Sequence, residues 1–547
     1  KLEAENRFRE ESIGSVNVET AHSLAYKYIM NRNAYKLRAQ GYKTYELAEL
    51  LGLRVKGELN AEYVVANHIN KFISYFCNSD KPKVQDLNYL EVVSDSDAKV
   101  FVTRYYEYIE KQTRVLLSKM DKGEIEITHD FYLKKFQILS PMLKYDYILF
   151  DEGQDASSAM LDVFMKQEAV KVIVGDTNQQ IYGWRYAVNS LEKVDFRSFS
   201  LTNSFRFSQN IAKLAMEIIQ LKKIIGYNHK TKISGLGSSN ETAMKATLAR
   251  TNLGLLSEAI KFVTEKRNVN KLYFEGNFNS YIYADEGASL YDVLNLKNFN
   301  RKMIRDTIIK KMKDIDELEE YAKKTDDVQL SMMIDLVNDY GNSLPGILRN
   351  IKEKHIEDEN RTKADMIFST VHRCKGMEYD SVTLATDFIT EKRINKMLPE
   401  AKLSSIEMAK LNEEINILYV AATRTKNRLY IPKSILPEDF LEMPKIHVIE
   451  KFDNDIFEET EKFKYSGASN SNKRQKNHYK KNSDGKKSYA VDSARSINKE
   501  AYKPWSESED NTLIKLYFKG KTAKEIAEIL GRSTGAIMLR FKKLKID

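Results

Sequence analysis

Two adjacent carboxylates, Asp151 and Glu152, directly follow the apolar run Tyr147-Ile148-Leu149-Phe150. A short apolar run of this kind reads as a buried parallel strand, and in open α/β sheets ligand-binding residues gather at the carboxyl ends of strands. There, Asp151 can hold Mg²⁺ through water while Glu152 orients or deprotonates an attacking water, the two tasks that phosphoryl transfer asks of paired acids. Adjacent acidic residues are also common on surfaces, so the pair alone is weak evidence. A second apolar run, Val170-Lys171-Val172-Ile173-Val174, ends in Gly175-Asp176 and places another acid in the equivalent position.

Further strings follow in order: Gly175-Asp176-Thr177-Asn178-Gln179-Gln180-Ile181-Tyr182-Gly183-Trp184-Arg185; Leu201-Thr202-Asn203-Ser204-Phe205-Arg206; Arg250-Thr251-Asn252; Thr370-Val371-His372-Arg373-Cys374-Lys375-Gly376-Met377-Glu378; and Leu418-Tyr419-Val420-Ala421-Ala422-Thr423-Arg424. Thr20-Ala21-His22-Ser23-Leu24 precedes them all. The set resembles the motifs of the UvrD/Rep superfamily 1 DNA helicases, over roughly residues 1 to 435. It departs at Tyr186, where those proteins usually have Gly.

The resemblance implies an ATP- and Mg²⁺-dependent motor on single-stranded DNA with 3′→5′ polarity. By it, Gln179 senses the γ-phosphate and Arg206 and Arg424 reach it. Arginines supplied across a cleft contribute about 10³–10⁵ in rate to such reactions. Arg250 contacts nucleotide, and Glu378 its ribose. His22, Thr370 and His372 contact DNA, and Trp184 stacks on a base. Base–aromatic stacking contributes ~1–3 kcal/mol and tolerates any sequence, which suits translocation. Residues Ile127 to Phe136, followed by the strand ending in Asp151-Glu152, are similar to the F-box DNA helicases and their bacterial and phage relatives, although no F-box is visible.

The Walker A loop, GxxxxGK[ST], which cradles phosphates with backbone N–H groups and a lysine, is not found. Gly235-Leu236-Gly237-Ser238-Ser239 lacks the GK[ST] and reads as a loop. In the family Walker A precedes the Thr20–Leu24 element, and Thr20 leaves no room for it. Three arrangements are open: a longer protein whose front is absent, a separate polypeptide, or a lost ATPase. Lys1 in place of Met favours the first, and the retained acids and arginines oppose the last. The expectation is a helicase in the complete protein and an inactive chain by itself. The alternative is a non-catalytic DNA-binding or regulatory protein built on a degenerate motor.

The elements that must position these residues form two RecA-like parallel-sheet lobes, an α/β fold. The first spans 1–200 with a helical insertion at about 30–135; the second spans 201–450 with one at about 253–362. Composition agrees with several domains: 547 residues with 42% hydrophobic content can build sizeable cores. Two cysteines, Cys77 and Cys374, are too few for a disulfide framework or zinc site, which reads as a cytoplasmic protein, or a nuclear one in a eukaryote. No apolar stretch suits a membrane span.

Net charge is +9, an excess compatible with nucleic acid. It concentrates between Tyr465 and Lys503, where ten basic residues face three acidic ones in a Ser/Asn/Gly-rich run. Residues 451–502 therefore read as a disordered basic linker. Beyond it, 503–547 resemble a Myb/SANT-like helix-turn-helix of three helices, with Ser506 and Glu509 as a capping box and Trp505 in its core. Such a fold puts its third helix in the major groove of duplex DNA, making Arg532, Thr534, Arg540 and Lys543 candidate contacts, unless the module binds protein instead.

Overall fold

A computed structural model describes residues 2–450 except 12–15, 56–59, 94, 228–231, 266–268, 284–287, 326, 399–404 and 438–439, and then 512, 513, 516, 521, 523–530, 532, 537 and 540. The chain divides into two units, Lys1–Glu459 and Thr460–Asp547.

The first unit opens with α1 (Leu2–Glu10) and α2 (Ala21–Met30). Thr20 starts α2 because its hydroxyl accepts the Ser23 N–H at 3.1 Å, an N-cap that satisfies an otherwise orphaned donor. The helical insertion follows as α3 (Thr44–Leu50), α4 (Ala61–Asn78), α5 (Ser96–Asp121) and α6 (His129–Leu139). Phe72, Phe101, Ile109 and Phe136 are all buried between these helices.

Next come β1 (Tyr147–Phe150), α7 (Ser158–Met165) and β2 (Val170–Ile173). The strands pair in parallel, Tyr147 opposite Val170 and Phe150 opposite Ile173. They are not the buried strands that their apolar runs predict. Phe150 packs on Phe164 of α7, but the other face is open, with Tyr147 68%, Leu149 60% and Val170 56% exposed. Among the described residues the sheet has only two strands, too few to cover both faces.

A short α8 (Ser190–Lys193) leads to the strand pair β3 (Asn203–Ser204) and β4 (Ser234–Gly235), with α9 (Gln209–Gln220) between them. The second lobe is a six-stranded, all-parallel sheet. In chain order its strands are β5 (Lys245–Ala249), β6 (Leu272–Phe274), β7 (Met366–Thr370), β8 (Tyr379–Leu384), β9 (Thr425–Pro432) and β10 (Ile446–Ile449), arranged β10-β9-β8-β5-β7-β6. α10 (Asn252–Glu265) crosses from β5 to β6. The excursion expected from about 253 therefore starts later, because α10 and β6 belong to the sheet and its crossover. It comprises α11 (Leu290–Lys297), α12 (Thr307–Lys311), α13 (Ile315–Thr325), α14 (Val328–Tyr340) and α15 (Leu344–Lys354). α16 (Val371–Cys374), α17 (Glu391–Met397) and α18 (Ser405–Ala422) complete the lobe. The parallel sheets and their crossovers are those of an α/β fold consistent with RecA-like lobes.

Two apolar cores result. One joins the first-lobe insertion to the second-lobe excursion, from Val64 and Phe72 to Leu318 and Val337. The other packs α9 and α18 on the large sheet, with Ile218, Leu248, Leu418 and Leu429 at its centre.

In the second unit the described residues show the helix Ala523–Leu530, further helical residues at 512, 513, 516, 537 and 540, and a small cluster of Leu513, Ile526, Ala527 and Ile537. No three-helix arrangement is seen among them. Arg532 is only 5% exposed, and its backbone N–H bonds the Ala527 carbonyl at 3.0 Å. Arg540 is half-buried. Thr534, Lys543, Trp505 and the basic linker 451–502 lie outside the described residues.

Phe274 tests the joint between sheet and excursion. It is fully buried, stacked on Phe368 at 5.1 Å and edge-on to Phe278 at 4.9 Å. Phe274→Ala is expected to cost about 3–5 kcal/mol in urea denaturation; a loss below about 1 kcal/mol would mean the pocket collapses around the cavity.

Candidate functional site

The carboxyl ends of β1 and β2 carry the paired acids, and both Asp151 and Glu152 are exposed at the surface of the cleft. The Glu152 N–H bonds the Asp151 carboxylate at 3.0 Å. Glu152 itself sits in left-handed backbone, φ +53°. That costs a residue with a Cβ about 1–2 kcal/mol, a strain that clusters at functional sites. Buried Gln154 holds the result in place. Its amide nitrogen donates to Glu152 at 2.5 Å and its oxygen accepts the Asp176 N–H at 3.1 Å.

Gln179 follows on the turn after Asp176 and donates to the Asp176 carboxylate at 3.0 Å. The same carboxylate oxygen accepts the Tyr419 hydroxyl at 3.1 Å, from α18 of the second lobe. Asn416 on that helix donates to the Gln180 carbonyl at 2.9 Å, and Glu413 accepts the Gly183 N–H at 3.0 Å. Glu413, Asn416 and Tyr419 recur every three residues, which puts them on one face of α18. A Cβ on Gly183 would stand 2.5 Å from the Glu413 carboxylate, so a side chain there would push that carboxylate aside.

Lys375, just after α16, reaches into the same seam. Its ammonium pairs with Asp155, lies 3.3 Å from Glu152, and donates to the Gln179 carbonyl at 2.9 Å. Burial raises the Asp155 carboxyl above its ordinary value, and the Lys375 charge acts against that rise. Neither Lys375 nor Glu413 was singled out by sequence. Lys375 lies inside a recognised string, but the string does not say which of its side chains turns inward. Glu413 lies outside every string, and only helix phase relates it to Tyr419.

The arginines converge here. Arg424 follows α18 and is fully buried. Burial, and then the nearby positive charge of Arg206, pull its guanidinium down to about 10, while Glu152 acts in the opposite sense. Arg206 pairs with Glu378 at 3.1 Å, so two of the expected nucleotide contacts bond each other. Like charges beside each other at a cleft favour an anion between them.

Other expected residues are engaged elsewhere. Arg250 forks onto Glu414, with contacts of 2.6, 2.8 and 3.0 Å. Thr370 is buried at the start of α16. His372 donates through Nε2–H to the Ile181 carbonyl, 2.9 Å away, while its own carbonyl accepts the Tyr182 hydroxyl at 2.9 Å. Burial lowers the imidazole to about 4, so the ring is neutral and its Nε2–H is the donor. His22 is exposed near the start of α2, edge-on to Tyr132 at 6.1 Å. Trp184 lies on a one-turn helix, Gly183–Arg185; its side chain lies outside the described part. Gly235 and Gly237 pack against the backbone of Ser208 and Arg206, where a side chain would collide, so they serve close packing.

Among the described residues no group of three or more His, Cys, Asp or Glu side chains could hold a metal. A hydrated Mg²⁺ shared with phosphate oxygens needs only one or two carboxylates, and exposed Asp151 fits that requirement. Among the same residues no helix is long and apolar enough to cross a membrane.

Residues 1–194 match the UvrD/REP helicase N-terminal domain. The chain is 27% identical over 452 residues to F-box DNA helicase 1 of Gallus gallus, covering 77% of this chain and 43% of that protein. It is 27% identical over 465 residues to F-box DNA helicase protein 1 of Schizosaccharomyces pombe, covering 77% and 50%. Similarity to the ATP-dependent DNA helicase PcrA of Staphylococcus epidermidis is 25% over 226 residues, 38% of this chain and 28% of that protein. The chain thus spans about half the length, or less, of the curated relatives it matches.

The Glu413 contact makes the seam sensitive to pH. Burial raises this carboxyl to about 7, outweighing the Gly183 N–H, which favours the charged form. A carboxyl with a raised folded pKa binds more protons folded than unfolded, so stability falls as pH rises from about 4.5 to about 7 and then levels. The loss is on the order of a few kcal/mol. Glu413→Gln is expected to flatten this part of the stability–pH profile in urea titrations. An unchanged profile would remove Glu413 as its source.

Proposed function

We propose that this chain forms most of the motor of an ATP-driven DNA helicase or translocase acting on single-stranded DNA, with the 3′→5′ polarity that the UvrD/Rep resemblance implies. One observation carries the reading: Lys375 of the second lobe donates to the Gln179 carbonyl at 2.9 Å and lies 3.3 Å from Glu152 of the first, and the charges of Glu152 and Arg206 both act on buried Arg424. Phosphoryl transfer depends on positioning and charge stabilisation, and such a seam can close around a nucleotide.

In this reading Asp151 holds the hydrated Mg²⁺, which when bound neutralises phosphate charge. Glu152, fixed by Gln154 and Lys375, orients the attacking water and accepts its proton. Arg206 leaves Glu378 to meet the γ-phosphate, and Arg424 adds a second positive charge, both across the seam from Asp151 and Glu152. Gln179, tied to Asp176 and so to Tyr419, registers the phosphate and passes its presence to α18. Trp184 on the adjacent turn offers a face to a base.

The phosphate cradle comes from elsewhere, in our proposal from an upstream segment or a separate polypeptide. The bare apolar face of β1–β2 supports this, because parallel sheets are ordinarily covered on both faces. A second reading, a non-catalytic DNA-binding protein on a degenerate motor, draws support from Arg250 and His372, whose polar groups are committed to internal contacts.

The purified 547-residue chain is expected to show no ATP turnover above background with or without DNA, and robust DNA-stimulated turnover would sink the separate-cradle proposal. It should bind a fluorescein-labelled oligo(dT), with affinity falling as salt rises. Trp184→Ala should weaken that binding by ~1–3 kcal/mol, roughly 5- to 150-fold. Failure to bind oligo(dT) would sink the motor reading.

A further inference from the structure

Tyr186 occupies left-handed backbone, φ +58° and ψ +28°, immediately after the Gly183–Arg185 turn. A residue with a Cβ seldom takes this conformation, and a bulky one seldom does so without compensation. The compensation lies on α4. The Tyr186 ring packs on Tyr75 with centroids 5.0 Å apart, and its hydroxyl donates to the Lys71 carbonyl at 3.3 Å. Burial pushes the phenol far above its ordinary value, so it stays a neutral donor.

The same side of α4 continues to the second lobe. Asn60, at its N-terminus, donates to Glu317 at 2.7 Å, and Tyr63 pairs with Lys311. His68 lies 3.2 Å from the Lys324 carbonyl, and the Lys71 ammonium donates to the Thr325 carbonyl. Lys324 and Thr325 end α13, and the last carbonyls of a helix have no partner within it. Here α4 supplies those partners. His68 does so as a neutral ring. Burial takes its pKa down to about 3, and its other nitrogen, 3.0 Å from the Tyr89 hydroxyl, accepts from it. The stripe from Asn60 to Tyr75 runs roughly 22 Å along a rigid helix. Lys71 serves both ends, with its carbonyl on Tyr186 and its ammonium on α13.

We propose that Tyr186 is a positioning residue that fixes the Gly183–Arg185 turn to α4, and that Lys71 extends this tie to the end of α13, so that the order of the turn depends on where the second-lobe excursion rests. The tie would carry excursion position to the turn that bears Trp184, and only that last step rests on the single-stranded DNA reading. It also gives the bulky side chain at this left-handed position a physical role: it offsets its own backbone strain by reaching α4.

Amide hydrogen exchange on the full chain tests the tie without DNA. The N–H groups of Arg185, Tyr186 and Ala187 bond within the turn and report its order. Lys71→Met, whose side chain touches α13 and not the turn, is expected to raise exchange at 185–187 about tenfold and leave β5 and β7 unchanged. Lys71→Arg, which keeps a donor, should restore protection. Tyr186→Phe should loosen the turn less than Tyr186→Gly, and Lys71→Met combined with Tyr186→Gly should add nothing to Tyr186→Gly alone. Wild-type protection at 185–187 in Lys71→Met, or additivity in the double variant, overturns the tie. A parallel titration with fluorescein-labelled oligo(dT) is expected to show about tenfold weaker binding for Lys71→Met. If exchange rises while oligo(dT) affinity holds, the tie stands and its role in gripping DNA is overturned.

Discussion

A single buried ammonium sets the geometry on which the rest of the site depends. Lys375 leaves the second lobe and ends among Asp155, Glu152 and the Gln179 carbonyl of the first. Removing a charge from water costs several kcal/mol, which only well-placed partners repay. Removing one partner would leave the other buried and uncompensated. The lobes therefore have one relative placement in which this group is satisfied, and in it the candidate catalytic acid Glu152 and the candidate sensor Gln179 are held by the same side chain.

The face of α18 repeats that logic three times. Glu413, Asn416 and Tyr419 each meet a polar group of the 176–183 segment. Buried polar contacts of this type are specific because a shift of one helical turn would leave every one of them unpaired. The close approach of Gly183 to Glu413 adds a steric condition. A phosphate arriving near Gln179 and Asp176 would perturb bonds that reach directly into the second lobe. Short hydrogen bonds thus join the 176–183 segment directly to α18.

The arginines are held in two different ways. Arg206 rests on Glu378, and Arg424 is buried with backbone carbonyls and Thr423 around it. The positive charge of Arg206 acts on Arg424 and disfavours its charged form. The helical excursions serve a different end. They share one apolar core, and the polar stripe along α4 ties the turn carrying Trp184 to that core.

The amino-acid sequence by itself determined the local chemistry. The apolar runs before Asp151 and Asp176 mark parallel strands, and the ordered strings name the acids and arginines that line the two sides of the seam. These features were legible because they depend on neighbours within a few residues. The tertiary structure alone decided the partners. That Lys375 bridges three first-lobe groups, that Arg250 is spent on Glu414, and that Arg532 is buried depend on residues far away in the chain or on packing that no short window records. It also decided that β1 and β2 stay half bare, and that α10 and β6 belong to the sheet and its crossover before the excursion begins. The physical reason is common to all of these. A local pattern fixes what a side chain can do, whereas burial and pairing are settled by whichever distant surface the fold brings against it.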